Sequence, residues 1–242
     1  QHRPRYQEDV LMFIGNFVAY SSQALPGFEL LTPELLKRTR ERAALRRADR
    51  YTTLIVSAAL ELLGAGAADD GLALITATAF GTHRTTFSTL DDILDFPEAQ
   101  ILPTRFSHSV HNAAAAYVGA ALKMRGPAIA LAGFEQVLCE ALELAKTFLY
   151  GGLCTRAMVI AAEEKALLTE KAHELWPERF AADMPEGVVG FLLSLSTQDN
   201  RRGRLLLNRS ARLSLSSPFT FGGDAKLFQA LARADATSEH HL

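Results

Sequence analysis

Glu135 stands at a bend where an apolar stretch, Pro127–Ala132, gives way to an amphipathic helical stretch, Gln136–Tyr150. A carboxylate there can accept from the free amides at the helix start and complement the helix dipole, or it can act as a general base. No histidine or second carboxylate is paired with it in sequence, so the base reading lacks the partner that such chemistry needs. Cys139 lies one helical turn beyond the bend, in a setting where a lone cysteine packs as a small hydrophobe more often than it reacts. Cys154 follows Gly151-Gly152 at a strand entrance. Two cysteines so placed make neither a disulfide framework nor a metal cluster. His108 and His111 have a spacing that could meet one metal if a helix began early. No third ligand is near, so they read as satisfied polar groups at a helix start, and neither metal nor cofactor is expected. Asp91, Asp92 and Asp95 read as a solvated helix face, as do Glu163-Glu164-Lys165 and Glu170-Lys171. The basic run Lys37–Arg50 is interrupted by Glu41 and Asp49 and reads as a charged helix surface, with docking to an acidic partner as the alternative.

The elements that must position these residues alternate. Val10–Ala19 is a nearly continuous apolar run, expected as a strand buried on both faces. Thr32-Pro33-Glu34 opens a helix, with Thr32 as cap. Arg46–Leu63 is a helix stopped by Gly64. Leu72–Phe80 is a second strand turned by Gly81, and Thr85–Leu94 a short helix ended before Pro97. His111–Met124 is helical and poor in bulk, with four successive alanines after Asn112. Pro127–Ala132, Ala157–Ala162 and Val188–Ser196 are three more strands, with a polar helical connection over Glu163–Trp176. Arg204–Leu215 adds a strand or two, and residues 232–242 are expected as a flexible tail after a single domain over residues 1–231. Strands separated by helices imply a mostly parallel five-stranded sheet with helices on both faces, an α/β fold.

A chain of 242 residues that is 48% hydrophobic can bury one large core. Its net charge of −2 gives no reason to expect nucleic acid as a partner. No apolar run is long enough to span a membrane, and the start QHRPRYQEDV has no signal-peptide core, so a cytoplasmic location is expected.

Five segments in order resemble the N-terminal half of the β-ketoacyl synthase family, of thiolase-like fold: Val10–Ala19, RRADRYTTLIVSAALELL, Leu72–Gly81, LPTRFSHSVHNAAAAYVGAALKMRGP, and Pro185-Glu186-Gly187-Val188-Val189-Gly190-Phe191. In that family the strand after the Gly-Pro turn ends in the cysteine that attacks the acyl thioester. Counting from Gly126, that cysteine's place holds Glu135, preceded by Phe134. The family's second half, with its histidines and lysine, has no counterpart here, and the segment 163–186 is shorter than the family's. The resemblance therefore implies a chain-length-factor-like, cysteine-less type, similar to the short versions that accompany aryl-polyene and related type II polyketide or fatty acid assembly.

Such a chain would be non-catalytic by itself and would act with a full-length ketosynthase as a heterodimer, or as a homodimer, with an acyl carrier protein as a further partner. Glu135 would plug the nucleophile position. Phe106, Asn112, Ala116 and Phe134 would line the acyl channel. Ala128, Ile129, Ala130 and Leu131 would form the edge strand that pairs across the dimer. Two other readings stay open: a malonyl-thioester decarboxylase or other acyl enzyme that reuses the pocket, and a scaffold with no acyl contact.

Overall fold

The computed structural model describes residues 10–64, 70–101, 103–134, 136–177, 180, 184–207 and 231–241. The chain begins with strand β1, Val10–Ser21, and the two-residue β2, Glu29–Leu30. Helix α1, Pro33–Arg42, is capped by Thr32, whose side chain accepts from Leu35 N–H. Helix α2, Arg50–Leu63, starts later than the sequence implies, because Asp49 is its cap and accepts from Thr52 N–H at 2.7 Å. A capping carboxylate satisfies a backbone donor that the first helical turn leaves free. Then follow β3, Leu72–Thr78; α3, His83–Asp95; α4, Pro103–His108; and α5, Ala113–Leu122. Strand β4, Ala128–Ala132, leads into α6, Val137–Tyr150, and β5, Arg156–Glu163, into α7, Leu167–Leu175. Strands β6, Gly187–Ser194, β7, Arg204–Leu207, and β8, Glu239–His241, complete it.

The described strands form one sheet in the order β4-β3-β5-β6-β1-β7-β8, with β2 paired to β1. The five expected strands are the first five across it, and three short ones raise the total to eight. Strands β4, β3 and β5 run parallel, as do β1 with β2 and β7 with β8. Strand β6 is antiparallel to both β5 and β1, and β7 is antiparallel to β1. The expected flexible end is corrected: residues 239–241 pair in register with 204–206, so the segment belongs to the sheet. Of the expected strand region Arg204–Leu215, residues beyond Leu207 lie outside the described residues.

Two hydrophobic layers flank the sheet. On one face α6 packs through Val137, Leu138, Ala141, Leu142 and Ala145. On the other, α1, α2 and α5 cover β3, β5 and β6. Helix α2 is buried almost all round because it lies between the sheet and two other helices. Each fully buried Leu or Ile in it contributes about 2 kcal/mol through area removed from water. The alanines of α5 let that helix approach α2 closely through Ala114, Ala115 and Val118.

Candidate functional site

The carboxyl ends of β4, β3 and β5 meet at one rim of the sheet, the place where open α/β sheets bind ligands. At the end of β4, Gly133 N–H donates to Thr78 O at 3.0 Å. The chain then turns into α6 through Gln136, which holds a left-handed backbone (φ 58°). A non-glycine residue there costs on the order of 1 kcal/mol, and the packed start of α6 sustains it. Glu135, between these points, lies outside the described residues.

Phe134 is 53% exposed, and its ring meets Phe80 edge-on at 5.4 Å and Phe180 at 6.4 Å. Phe80 and Phe180 are 5.5 Å apart, and Trp176 is 6.4 Å from Phe180. These four rings cap the rim. Tilted and edge-on contacts of this kind each add roughly 0.5–1.5 kcal/mol beyond burial.

Phe80 is aimed by the turn between β3 and α3. Gly81 sits there at φ 62°, and a Cβ would come within 2.0 Å of the His111 ring, so both backbone and space require glycine. Glu163, at the end of β5, holds the turn from below. One carboxylate oxygen accepts from Ala79 N–H, and the other accepts from Phe80 N–H and the Thr78 hydroxyl, both at 3.1 Å. Thr78 in turn accepts from Gly81 N–H at 2.7 Å.

Glu164 comes next. Its Oε1 accepts from Arg84 N–H at 3.0 Å and lies 4.0 Å from His83 Nδ1. Its Oε2 is buried with no partner among the described residues. Both carboxyl groups are pushed up to about 7, chiefly by burial and then by neighbouring negative charge, against backbone donors that pull them down. Burial lowers the His83 imidazole.

The reading of Glu163-Glu164 as a solvated helix face is therefore corrected. Glu163 is 1% and Glu164 0% exposed, because the strand runs on to Glu163 and the next helix starts only at Leu167. Two carboxylates directly after the apolar run AMVIAA, at the carboxyl end of a strand, were the available signal.

A second polar knot lies beside the first. Asp49 accepts from the Thr82 and Thr85 hydroxyls as well as capping α2, tying α2 to the start of α3. Thr86 donates to Ser109 O at 2.9 Å, and Thr82 Oγ1 lies 3.2 Å from His108 O, which ties the start of α3 to the junction of α4 and α5.

The other expected residues fall as follows. Phe106 is 64% exposed on α4. Asn112 and Ala116 are exposed on the side of α5 turned away from α2. All three are open to solvent among the described residues. Ala128, Ile129, Ala130 and Leu131 lie in β4, which is the terminal strand of the sheet. Its odd-numbered backbone groups face β3, since Pro127 O accepts from Leu74 N–H and Gly133 N–H donates back. Strand alternation then turns the backbone groups of Ala128, Ala130 and Ala132 outward. Strand β4 packs on α5, α5 on α4 and α4 on α3. Along α3, α4 and their flanks Leu90, Ile93, Leu94, Phe96 and Val110 are exposed, Leu94 at 82%.

Cys139 is half-buried, and burial together with Glu140 and Glu143 pushes its thiol up to about 11. Burial also raises Cys154. Neither sulfur is set up as a thiolate nucleophile. His108 Nε2 lies 3.4 Å from the Tyr117 hydroxyl, and among the described residues no three metal-ligating side chains come together. Asp92 pairs with Arg105 on the surface. A cavity of about 380 Å³ lies elsewhere, bounded by Asn16, Leu63, Arg156 and Asp199, and holds none of the expected residues. No helix among the described residues is long and apolar enough to cross a membrane.

The open sheet and its helical layers define a thiolase-like α/β half. Residues 41–210 match the β-ketoacyl synthase N-terminal domain, and the chain belongs to that family. No curated protein sequence matches it. Among solved structures it is similar to the ishigamide ketosynthase/chain length factor (18% identity, TM-score 0.60), over 77% of this chain and 63% of that one. It is also similar to the ketosynthase ApeO in complex with its chain length factor ApeC from Xenorhabdus doucetiae (19%, TM-score 0.57; 77% and 80% covered). A third is a β-ketoacyl synthase from Burkholderia phymatum STM815 (11%, TM-score 0.58; 77% and 59%). The chain thus spans under two thirds of the first and third of these. Identities this low establish the fold alone.

Proposed function

We propose that the chain is a chain-length-factor-like partner of a full-length ketosynthase in type II polyketide or fatty acid assembly of the aryl-polyene kind. It takes no covalent acyl group itself and shapes the channel in which the partner's chain grows. One observation carries this reading: the open β4 edge adjoins the exposed small-residue side of α5, and through α5 the exposed apolar residues of α3 and α4. Unpaired strand edges and contiguous apolar surface mark places that are covered by another chain. Phe106, Asn112 and Ala116 lie on this surface, so any channel they line needs its second wall from the partner. Phe134 and its ring cluster supply the floor.

Glutamate at the nucleophile position and a Cys139 thiol held protonated support the absence of acyl transfer by this chain. Lys37, Arg46 and Arg47 are exposed and offer positive charge to an acidic acyl carrier protein as a second partner. Co-expression with a ketosynthase of such a system tests the reading. A stable complex is expected by size-exclusion chromatography, with condensation only in the complex. An acyl adduct on the isolated chain by intact mass, or failure to form any complex, would overturn it.

A further inference from the structure

The two buried carboxyl groups differ in how well they are served. Glu163 has three donors on two oxygens, which suits the ionised, acceptor-only form. Glu164 has one donor on Oε1 and nothing on the buried Oε2, which suits the neutral acid. His83 Nδ1 lies 3.3 Å from Gly81 O, and burial, acting against backbone contacts at Gly81 and Ala166, lowers the imidazole and favours the neutral ring. An adjoining pair in so little water holds one proton more readily than none. Both members grip the same turn, Glu163 at Ala79 and Phe80, Glu164 at Arg84.

We propose that Glu164 carries a titrating proton that latches the aromatic cap. With the proton in place the turn from 79 to 84 is fixed, and Phe80 holds Phe134 and Phe180. When the proton leaves to solvent, two neighbouring buried anions repel, the turn shifts to let one reach water, and the cap loosens. On the reading of Phe134 as channel floor, this makes the floor sensitive to pH and to any ligand charge brought near the rim.

The groups around the pair do not neutralise it. Asp49 at the start of α2 and Glu186 ahead of β6 both add negative charge, and Arg50 is engaged with Glu186 at 2.5 Å. The Arg84 guanidinium opposes them but donates to Lys165 O at 2.6 Å. Tyr51, on α2, is held far above its ordinary range by burial and stays neutral. Glu170 on α7 acts on His83, and His173 on the same helix contacts Phe180 O through Nδ1 at 2.7 Å.

The chain's one tryptophan, Trp176, belongs to the ring cluster and reports on it. Its emission, followed on the isolated chain from about pH 5 to about pH 9 with far-ultraviolet circular dichroism as control, should change while secondary structure stays constant. Glu164→Gln should fix the emission at the acid value throughout. Glu163→Gln, which turns an amide donor toward backbone N–H groups, should give the alkaline value throughout. A flat wild-type profile overturns the proposal. So does a wild-type-like titration in Glu164→Gln, or a titration lost only in His173→Asn. Should Glu164→Gln not fold, infrared spectra of the wild type decide: a protonated buried carboxyl band must be present in acid and vanish over the same range. No partner is needed, so failure to form a complex would leave this result standing, and the reverse holds too.

Discussion

The two edges of the sheet are built differently. At one, β4 reads Ala-Ile-Ala-Leu-Ala, with no charge, no proline and no bulge, and its outward backbone groups have no strand beside them among the described residues. At the other, β8 has three residues, and Glu239 forms an ion pair with Arg204 of β7 at 3.0 Å. Short strands and charged side chains blunt an edge against pairing. The β8 edge has both devices and β4 neither. The contrast leaves β4 as the described edge without a device against pairing, and it is the edge that the proposed association uses.

Proline scanning offers the sharpest way to break that comparison. Ala130→Pro removes an outward donor and leaves the β3 ladder intact, so association should weaken on the order of 100-fold while the monomer still folds. Ile129→Pro instead removes a donor to β3 and should lower the stability of the fold itself. If Ala130→Pro assembles like the wild type in analytical ultracentrifugation, the edge is not the seam.

The floor comes next. Phe134→Ala opens space for several methylenes, each worth roughly 0.8 kcal/mol when buried, so longer products should appear by mass spectrometry of the heterodimer. Half-exposed as the ring is, the stability loss should stay near 1–2 kcal/mol, below the usual cost of a fully buried phenylalanine. An unchanged length distribution in an intact complex would remove Phe134 from the channel.

Thermal or urea titrations sharpen the contrast in a different quantity. Glu164 is raised from 4.5 to about 7, so the folded state holds the extra proton between those values, and stability falls as pH rises through that window. At one unit per 1.36 kcal/mol the effect of Glu164 is about 3 kcal/mol, and Glu164→Gln should remove that share of the slope and leave the share of Glu163, which is raised likewise. Changes at the β8 edge should leave that slope alone.

On the apolar surface, Leu94→Asp should weaken association about tenfold and shift monomer stability by no more than about 0.5 kcal/mol, since the side chain is already in water. The smallest effect belongs to the blunted edge. Glu239→Ala breaks an exposed ion pair worth about 0.5 kcal/mol and should leave assembly untouched. An assembly defect there as large as that of Ala130→Pro would erase the distinction between the edges.

Local chemistry made much of this legible beforehand. Thr32-Pro33 marked a helix start, Gly64 a stop, and the apolar runs at Val10, Leu72, Pro127, Ala157 and Val188 became the five longest strands, because each pattern is carried by residues close together in the chain. The family likeness was legible too, through the order of five segments. What the sequence could not decide is what depends on neighbours far along the chain. Glu163-Glu164 looked like any solvated charge pair until β5 was seated between β3 and β6, which draws the pair out of water and hands Glu163 to Thr78, Ala79 and Phe80. Residues 239–241 looked like a tail until the ladder with β7 used their backbone groups. Which side of α5 meets water is set by the helix it packs against: α2 took the side with Ala114, Ala115 and Val118, which leaves Asn112 and Ala116 outward. Burial, strand pairing and the choice of exposed face are sums over distant residues, so they belong to the tertiary structure alone.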